Sequence, residues 1–166
     1  MQLRGQPQLR LIQNSITEID GELTLFQSPC DGALALPSNN ALKIKEDSGN
    51  LIPDSFLHEQ SLLIRCEGKI VLIAGCAHAG IPAIANCAAK IAGRFPDFLI
   101  GGFHLQGKAM RAEPGQKLTK NIAEFLKQTG AVCYTGHCTD ACAFASLKSV
   151  LGERLHPLST GACLTL

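Results

Sequence analysis

Three apolar segments of the chain each end next to glycine and are followed, within a few residues, by a histidine. The segments are 70–74, 98–100 and 131–135, and the histidines are His78, His104 and His137. Short continuous apolar runs bounded by turn residues are typical of strands that are buried on both faces. The pattern therefore predicts an α/β fold with the three histidines just beyond strand ends.

Helices are predicted between these strands. One covers 82–92 and has Pro82 in its first turn, and one covers 116–128 and stops at Gly130. A third covers 140–151, with Thr139 as its N-cap and Gly152 as its stop. With further strands at 61–66 and near 155–158 and 162–166, the regular part reads β-β-α-β-α-β-α-β-β. This order predicts a mixed sheet with helices on one face.

The chain divides into two regions that differ in regularity. Residues 1–53 form an irregular lead segment with short β-like pieces at 9–12 and 23–27, separated by turn-forming residues. Residues 54–166 carry the regular pattern. A length of 166 residues fits one domain.

Composition limits the classes of protein to which this chain can belong. Hydrophobic residues make up 46% of the chain, charged residues 17%, and the net charge is +1. A nucleic-acid binder normally shows an excess of basic residues, so we expect no nucleic acid as a partner. The apolar runs are far shorter than the roughly 20 residues of a membrane helix, and the first residues lack the apolar region of a signal peptide. We therefore expect no membrane association and a cytoplasmic location.

The eight cysteines allow two interpretations. An even number suggests disulfides, but no secretion signal is visible and no C-x-x-C pair occurs. Most of them lie in apolar runs. The sequence therefore predicts free, buried cysteines that act as small hydrophobic residues, and it argues against a structural zinc ribbon.

The placement of the three histidines indicates a metal site. Ligands of open α/β sheets bind beyond the carboxyl ends of the strands, and three neutral imidazoles can hold zinc while a coordination position stays open. If the strands are parallel neighbours, His78, His104 and His137 converge on one patch. The alternative is that each is an ordinary polar loop residue.

Four motifs in a fixed order resemble the metallo-β-lactamase superfamily. They are DSFLHEQSL at 54–62, GCAHAGI at 75–81, GGFHL at 101–105 and GHCT at 136–139. The chain is most similar to the dihydropterin–ribofuranosylaminobenzene-phosphate synthase-like branch, over roughly residues 54–166. The resemblance implies the C-terminal half of an αββα sandwich with metals at one edge. It assigns His78, His104 and His137 as metal ligands.

The resemblance also implies which parts are missing or changed. The first half of the family's domain supplies an H-x-H-x-D-H loop, and this motif does not occur in the present sequence. Asp140 stands where the family continues Thr-Gly, as a charge at a helix start or a support for His137. Cys76 is either packing beside the site or a direct ligand. His58 either contacts the edge of the site or lies in a solvated turn.

These features predict a metal-dependent hydrolase half-domain acting on a small phosphoester, lactone or ester, with zinc, manganese or iron. The alternative is an inactive remnant that binds a small molecule or a protein. A weaker third option is thiol chemistry by Cys138, through a pKa lowered at a helix start. Because half a sandwich leaves one sheet face uncovered, we expect a homodimer or a separate chain carrying the first half.

Overall fold

A computed structural model describes residues 6–28 and 34–166 of the chain. Its strands, in chain order, are β1 (Ile16–Glu18), β2 (Leu23–Gln27), β3 (Lys43–Lys45), β4 (Leu51–Pro53), β5 (Gln60–Cys66), β6 (Lys69–Ile73), β7 (Phe98–Gly101), β8 (Val132–Thr135) and β9 (Leu155–Pro157). Seven of them form one sheet in the order β1-β2-β5-β6-β7-β8-β9, and β3 pairs with β4 apart from it.

Helices make the connections within the second half of the sheet. They are α1 (Ile81–Ala92), α2 (Lys108–Arg111), α3 (Glu113–Thr129) and α4 (Ala141–Leu151). Because α1, α3 and α4 each carry the chain back along the sheet, β6, β7, β8 and β9 are parallel. The strands β1, β2, β5 and β6 each pair antiparallel with their neighbours in this part of the sheet. The predicted mixed sheet is confirmed.

One face of the sheet is buried beneath the helices. Leu72 pairs with Leu63 on one side and Leu99 on the other, and the row continues to Cys133 and Leu155. All five side chains are buried and belong to one core cluster with residues of α1, α3 and α4. The helices therefore lie on one face, as the sequence predicts.

The opposite face of the sheet carries apolar side chains that do not belong to the core cluster of the described residues. We call it the open face and define it by these residues: Leu62, Ile64, Val71, Ile73, Phe98, Ile100, Val132 and Tyr134. Most of them are half-buried, and Ile73 is 37% exposed. Val71 is buried but lies outside the core cluster. The open face is the surface that a second sheet covers in an αββα sandwich.

Two predicted strands are absent. Neither 9–12 nor 162–166 forms a strand, and both stretches are largely exposed. Of the predicted lead segment, 6–28 and 34–53 are described, and β1 and β2 lie in the main sheet. The division at residue 53 stays a prediction.

The prediction of free, buried cysteines is correct only in part. Cys133 and Cys138 are free and buried, but three others are free and exposed: Cys66, Cys142 and Cys163. Cys87 in α1 is buried and forms a disulfide bond. Apolar neighbours in the sequence did not distinguish buried from exposed helix and strand positions. Cys30 lies outside the described residues.

Within 6–28 and 34–166, no helix is both long and apolar enough to cross a membrane.

Candidate metal centre

Three loops lie side by side at the carboxyl edge of the sheet, following β6, β7 and β8. Adjacent loops are joined by backbone hydrogen bonds, from Gly102 N–H to the Gly75 carbonyl at 2.8 Å and from Asp140 N–H to the Leu105 carbonyl at 3.1 Å. Because the three strands are parallel neighbours, their carboxyl ends meet at the same edge. The arrangement of strands expected from the sequence is therefore present.

His78 and His104 are in direct ring contact. Their ring centroids are 4.0 Å apart at an interplanar angle of 47°. On its other side His78 stacks on Phe56, with centroids 4.4 Å apart and the planes within 5° of each other. His78 is thereby fixed between an aromatic ring and a second imidazole.

His104 is a buried polar side chain without a partner. It is 7% exposed, and neither its Nδ1 nor its Nε2 has a hydrogen-bond partner among the described residues. Burial, and then the neighbouring His78, lowers the pKa of His104, against a smaller opposing effect of the Ser38 contact. The ring is therefore held neutral with an available lone pair. Burying an imidazole without hydrogen-bond partners costs about 1–3 kcal/mol of folding free energy. Such a group is therefore expected at a place where a bound ligand supplies the missing partner.

The backbone of both histidine loops is held by side chains from elsewhere in the chain. Glu59 accepts hydrogen bonds from His78 N–H at 2.8 Å and Ala79 N–H at 2.9 Å. Ser38 Oγ donates to the His104 carbonyl at 2.7 Å. Asn39 contacts the ring and the carbonyl of His78. The loops are thus positioned before any ligand binds.

His137 lies on the third loop but differs from the other two histidines. It is exposed. Among residues 6–28 and 34–166, no group of three or more His, Cys, Asp or Glu side chains is placed to hold a metal ion. The structure thus brings His78 and His104 together, and it does not bring His137 into a three-residue ligand group. The ligand role of His137 stays a prediction.

The Cys138 thiol is part of the loop structure. It accepts a hydrogen bond from His104 N–H at 3.2 Å and donates to the Cys76 carbonyl at 3.5 Å. Burial raises the pKa of Cys138 to about 11. The predicted lowering of this pKa is wrong, because the thiol is buried and α4 begins only at Ala141. Cys76 is half-buried beside it, and its role at the site stays a prediction.

Asp140 faces α4 and Arg111. It is the N-cap of α4, accepting from Ala143 N–H at 3.0 Å, where the sequence predicted Thr139. It also pairs with Arg111 at 3.0 Å. Thr139 instead accepts from Phe103 N–H and hydrogen-bonds to Thr135. The structure therefore shows Asp140 as a charge at the start of α4, and its supporting role at the site stays a prediction.

A cavity of about 290 Å³ opens beside this loop, between α2, α3 and α4. Asp140 forms part of its wall, with Met110 and Ala143 as apolar walls and Arg111 and Lys120 as cationic ones. Since Asp140 N–H bonds the carbonyl next to His104, the cavity adjoins the histidine loops.

His58 lies at the rim. Its Nδ1 is 3.8 Å from the Asp54 carboxylate, its side chain is 70% exposed, and its ring is 6.1 Å from Phe56. Both interpretations of its sequence position therefore stay predictions.

Unusual backbone conformations concentrate in the three loops. Ala77, His104 and His137 have φ values of 57°, 51° and 49°. Non-glycine residues in this left-handed region are uncommon and cluster at functional sites. The loops therefore carry strain where the histidines are presented.

Sequence reasoning missed Phe56, Ser38, Asn39 and Glu59 as parts of the site. Three of them are separated by about 20 to 66 residues from the groups that they contact. The signal in the sequence was the DSFLHEQSL motif at 54–62, which contains Phe56 and Glu59.

The residues present fit a divalent cation as a partial ligand set. Two imidazoles touch, one of them with both nitrogens buried and unpartnered, and neutral imidazole nitrogen is a common ligand of zinc and other transition metals. Further ligands are needed for a closed coordination shell.

Comparison with known proteins agrees with the resemblance found in the sequence. No protein-family model matches the chain. The chain is 31% identical, over 98 residues, to 7,8-dihydropterin-6-methyl-4-(beta-D-ribofuranosyl)-aminobenzene-5'-phosphate synthase of Methanocaldococcus jannaschii. That match covers 57% of this chain and 31% of the synthase, so the similarity spans about a third of the relative.

The same fold occurs in a solved structure, that of Tm1679, a metal-dependent hydrolase of the β-lactamase superfamily. The TM-score is 0.69 at 24% identity, and the match covers 95% of this chain and 58% of that one. The chain therefore has the fold of one part of a β-lactamase-superfamily domain. The predicted resemblance and fold class are confirmed.

Proposed function

We propose that this chain, with its β-lactamase-superfamily fold, is one half of a metal-dependent hydrolase. One observation carries the proposal: His104 is buried with both ring nitrogens unpartnered and its ring lies 4.0 Å from that of His78. His78 and His104 are the proposed ligands, and His137 joins them from the third loop. Zinc is the preferred metal, with manganese or iron as alternatives.

A bound cation would supply Lewis-acid chemistry, which activates water and polarises a carbonyl or phosphoryl oxygen. This chain's residues prepare the site for it. Burial holds His104 neutral, Phe56 and Glu59 fix the ring and backbone of His78, and Cys138 anchors the His104 loop. Preorganised ligands of this kind need little rearrangement when the metal binds.

We propose a small phosphoester, or a lactone or other ester, as the substrate class. The adjoining cavity supports the anionic option, because Arg111 and Lys120 line it beside apolar Met110. Guanidinium and ammonium groups bind phosphate oxygens well. In this proposal the cavity holds the part of the substrate that is not cleaved.

The open face supports association with a second sheet, which would also complete the ligand set. Its side chains are apolar. Monomeric proteins rarely leave a contiguous apolar surface of this kind uncovered. We propose that a second sheet covers the open face, in a homodimer or from a chain carrying the first half-domain.

A second candidate is a catalytically inactive remnant that binds a small molecule or a protein. The observation that favours it is the ligand count: the described residues offer no group of three metal ligands, and no H-x-H-x-D-H occurs in the sequence. Metal binding by the purified chain separates the two candidates.

The test is a metal titration of untagged protein with zinc, manganese and iron(II), together with elemental analysis. We expect about one equivalent of bound metal, and loss of most of the affinity in His78→Leu and His104→Leu. His58→Leu, which removes an exposed histidine at the rim, is the matched control and should bind normally.

Protein folding is monitored in parallel. Since His104→Leu removes two unsatisfied buried nitrogens, we expect the metal-free variant to be as stable as the wild type or about 1 kcal/mol more stable. Less than about a tenth of an equivalent of every metal in the wild type contradicts the metal site and leaves the remnant as the better explanation.

A further inference from the structure

The side-chain amide of Asn39 lies between the carbonyl oxygen and the ring of His78. Only one orientation of the amide fits both of these groups. Its Nδ2 lies 2.7 Å from the His78 carbonyl oxygen. A carbonyl oxygen can only accept, so the atom that faces it must be the amide NH₂. The other amide atom, the acceptor Oδ1, is thereby turned toward the His78 ring.

The tautomer of His78 follows from this orientation. Asn39 Oδ1 lies 3.0 Å from His78 Nδ1. Since Oδ1 has no hydrogen to donate, Nδ1 must carry the proton of the neutral ring. In a neutral imidazole with hydrogen on Nδ1, the lone pair is on Nε2. Within residues 6–28 and 34–166, Nε2 makes no hydrogen bond.

We propose that Asn39 is a positioning residue that selects the Nδ1–H tautomer of His78 and so presents Nε2 as the free, metal-binding nitrogen. The tautomer follows from the contacts of Asn39 alone. Only its importance for metal binding rests on the proposed function.

The contact is held from both sides. Phe56 stacks on the His78 ring within 5° of parallel, and Glu59 holds the N–H groups of His78 and Ala79 with its two oxygens. The ring cannot turn away from Asn39 without losing the stacking contact, and the loop cannot move without breaking the Glu59 bonds.

Asn39 itself is fixed by a short turn that reaches both histidine loops. Pro37–Asn39 forms a 3-10 helix, and Asn39 N–H donates to the carbonyl of buried Leu36 at 2.9 Å. The neighbouring Ser38 donates to the His104 carbonyl. This one turn, from outside the three sheet-edge loops, therefore positions both proposed ligands.

Partners of this kind, which orient a ligating histidine through its other nitrogen, are typically worth 10–100-fold in metal affinity. The comparable effect here is loss of the tautomer preference. With Asn39→Ala, the ring is free to place its proton on either nitrogen, and the fraction with a protonated Nε2 cannot bind until the proton moves.

The test uses long-range ¹H–¹⁵N NMR of metal-free protein labelled at histidine, at about pH 8.5, where imidazoles with ordinary pKa values are neutral. The His78 signals are assigned with His78→Gln. We expect the Nδ1–H pattern in the wild type and a mixture of tautomers in Asn39→Ala.

Asn40→Ala is the control, since it removes an exposed asparagine from the next position. In zinc or cobalt titrations we expect about 10–100-fold weaker binding for Asn39→Ala and no change for Asn40→Ala. Circular dichroism confirms that each variant is folded.

A wild-type spectrum with the proton on Nε2, or an unchanged tautomer in folded Asn39→Ala, overturns the inference. If the wild type shows the Nδ1–H tautomer but binds no metal, the proposed function fails and the positioning role stands. The two outcomes are therefore distinguishable.

Discussion

Asp140 shows how a single carboxylate links the site to the helix behind it. Its oxygens accept from Ala143 N–H at the start of α4 and pair with Arg111 from α2. Partial burial works to raise the pKa of Asp140, but the Ala143 hydrogen bond and Arg111 outweigh it, and the pKa is lowered. Asp140 is therefore ionised at neutral pH, and its charge stabilises the fold there.

Asp140→Ala should lower the free energy of unfolding by about 1 kcal/mol at pH 7, because it removes the N-cap of α4. Asp140→Asn keeps a capping oxygen and loses only the charge. Since the folded pKa lies below the unfolded one, the charge stabilises above the unfolded value, near 3.9, and this contribution disappears as pH falls through the folded pKa.

Urea denaturation at several pH values checks this prediction. The difference in free energy of unfolding between wild type and Asp140→Asn should be largest at neutral pH and should disappear at acidic pH. A gap that is independent of pH would show that the carboxylate acts only through its shape.

Which side chains meet in the site was only partly predictable. The glycine–histidine pattern placed His78, His104 and His137 at the correct sheet edge. It carried no information on side-chain direction, which in His104 and His137 depends on left-handed backbone conformations. Nor did it indicate Asn39, whose contact with His78 spans 39 positions of the sequence.

The glycines of the three loops differ in what they allow. An added Cβ at Gly136 would collide with the Leu158 carbonyl, and one at Gly102 with the Cys138 thiol. At Gly75 it would meet nothing within 4 Å. Gly102 and Gly136 therefore let the loops after β7 and β8 pass close to other segments of the same chain. Gly75 has no such role.

Gly136→Ala is therefore expected to destabilise the protein by about 1–3 kcal/mol, because backbone must move to make room. Gly75→Ala, at the equivalent place after β6, should change stability by no more than about 0.5 kcal/mol. Thermal or urea denaturation of the two variants measures the difference. Equal losses in both would contradict the close approach described for Gly136.

Strands and helices were predictable where local pattern and pairing agreed. The helix ending at Gly130 is present, with this glycine in a left-handed conformation at φ 79°. The strands predicted at 9–12 and 162–166 do not form, because a strand also needs a neighbouring strand to satisfy its backbone groups. Pairing partners are set by the tertiary fold, which periodicity does not contain.

The open face is the surface proposed for association with a partner. Ile100 lies near its centre, between Ile73 of β6 and Tyr134 of β8. If the face is covered by a partner, a carboxylate there must be buried without a counter-charge and will oppose association. On a solvated face the same change would have little effect.

We expect the purified chain to self-associate and Ile100→Glu to be a folded monomer, as measured by sedimentation velocity. Leu51→Glu is the matched control, because Leu51 is 63% exposed on β4, outside the main sheet. It should keep the wild-type association. A wild-type protein that is already a monodisperse monomer would contradict the homodimer.

The one-sided packing also bears on the order of assembly. The described core between the helices and their side of the sheet is built from residues of this chain. If a second sheet covers the open face as proposed, joining is a bimolecular event whose extent depends on protein concentration, and the joined state gains stability by mass action. Catalytic competence, if it requires both halves, would rise and fall with the supply of the scarcer one.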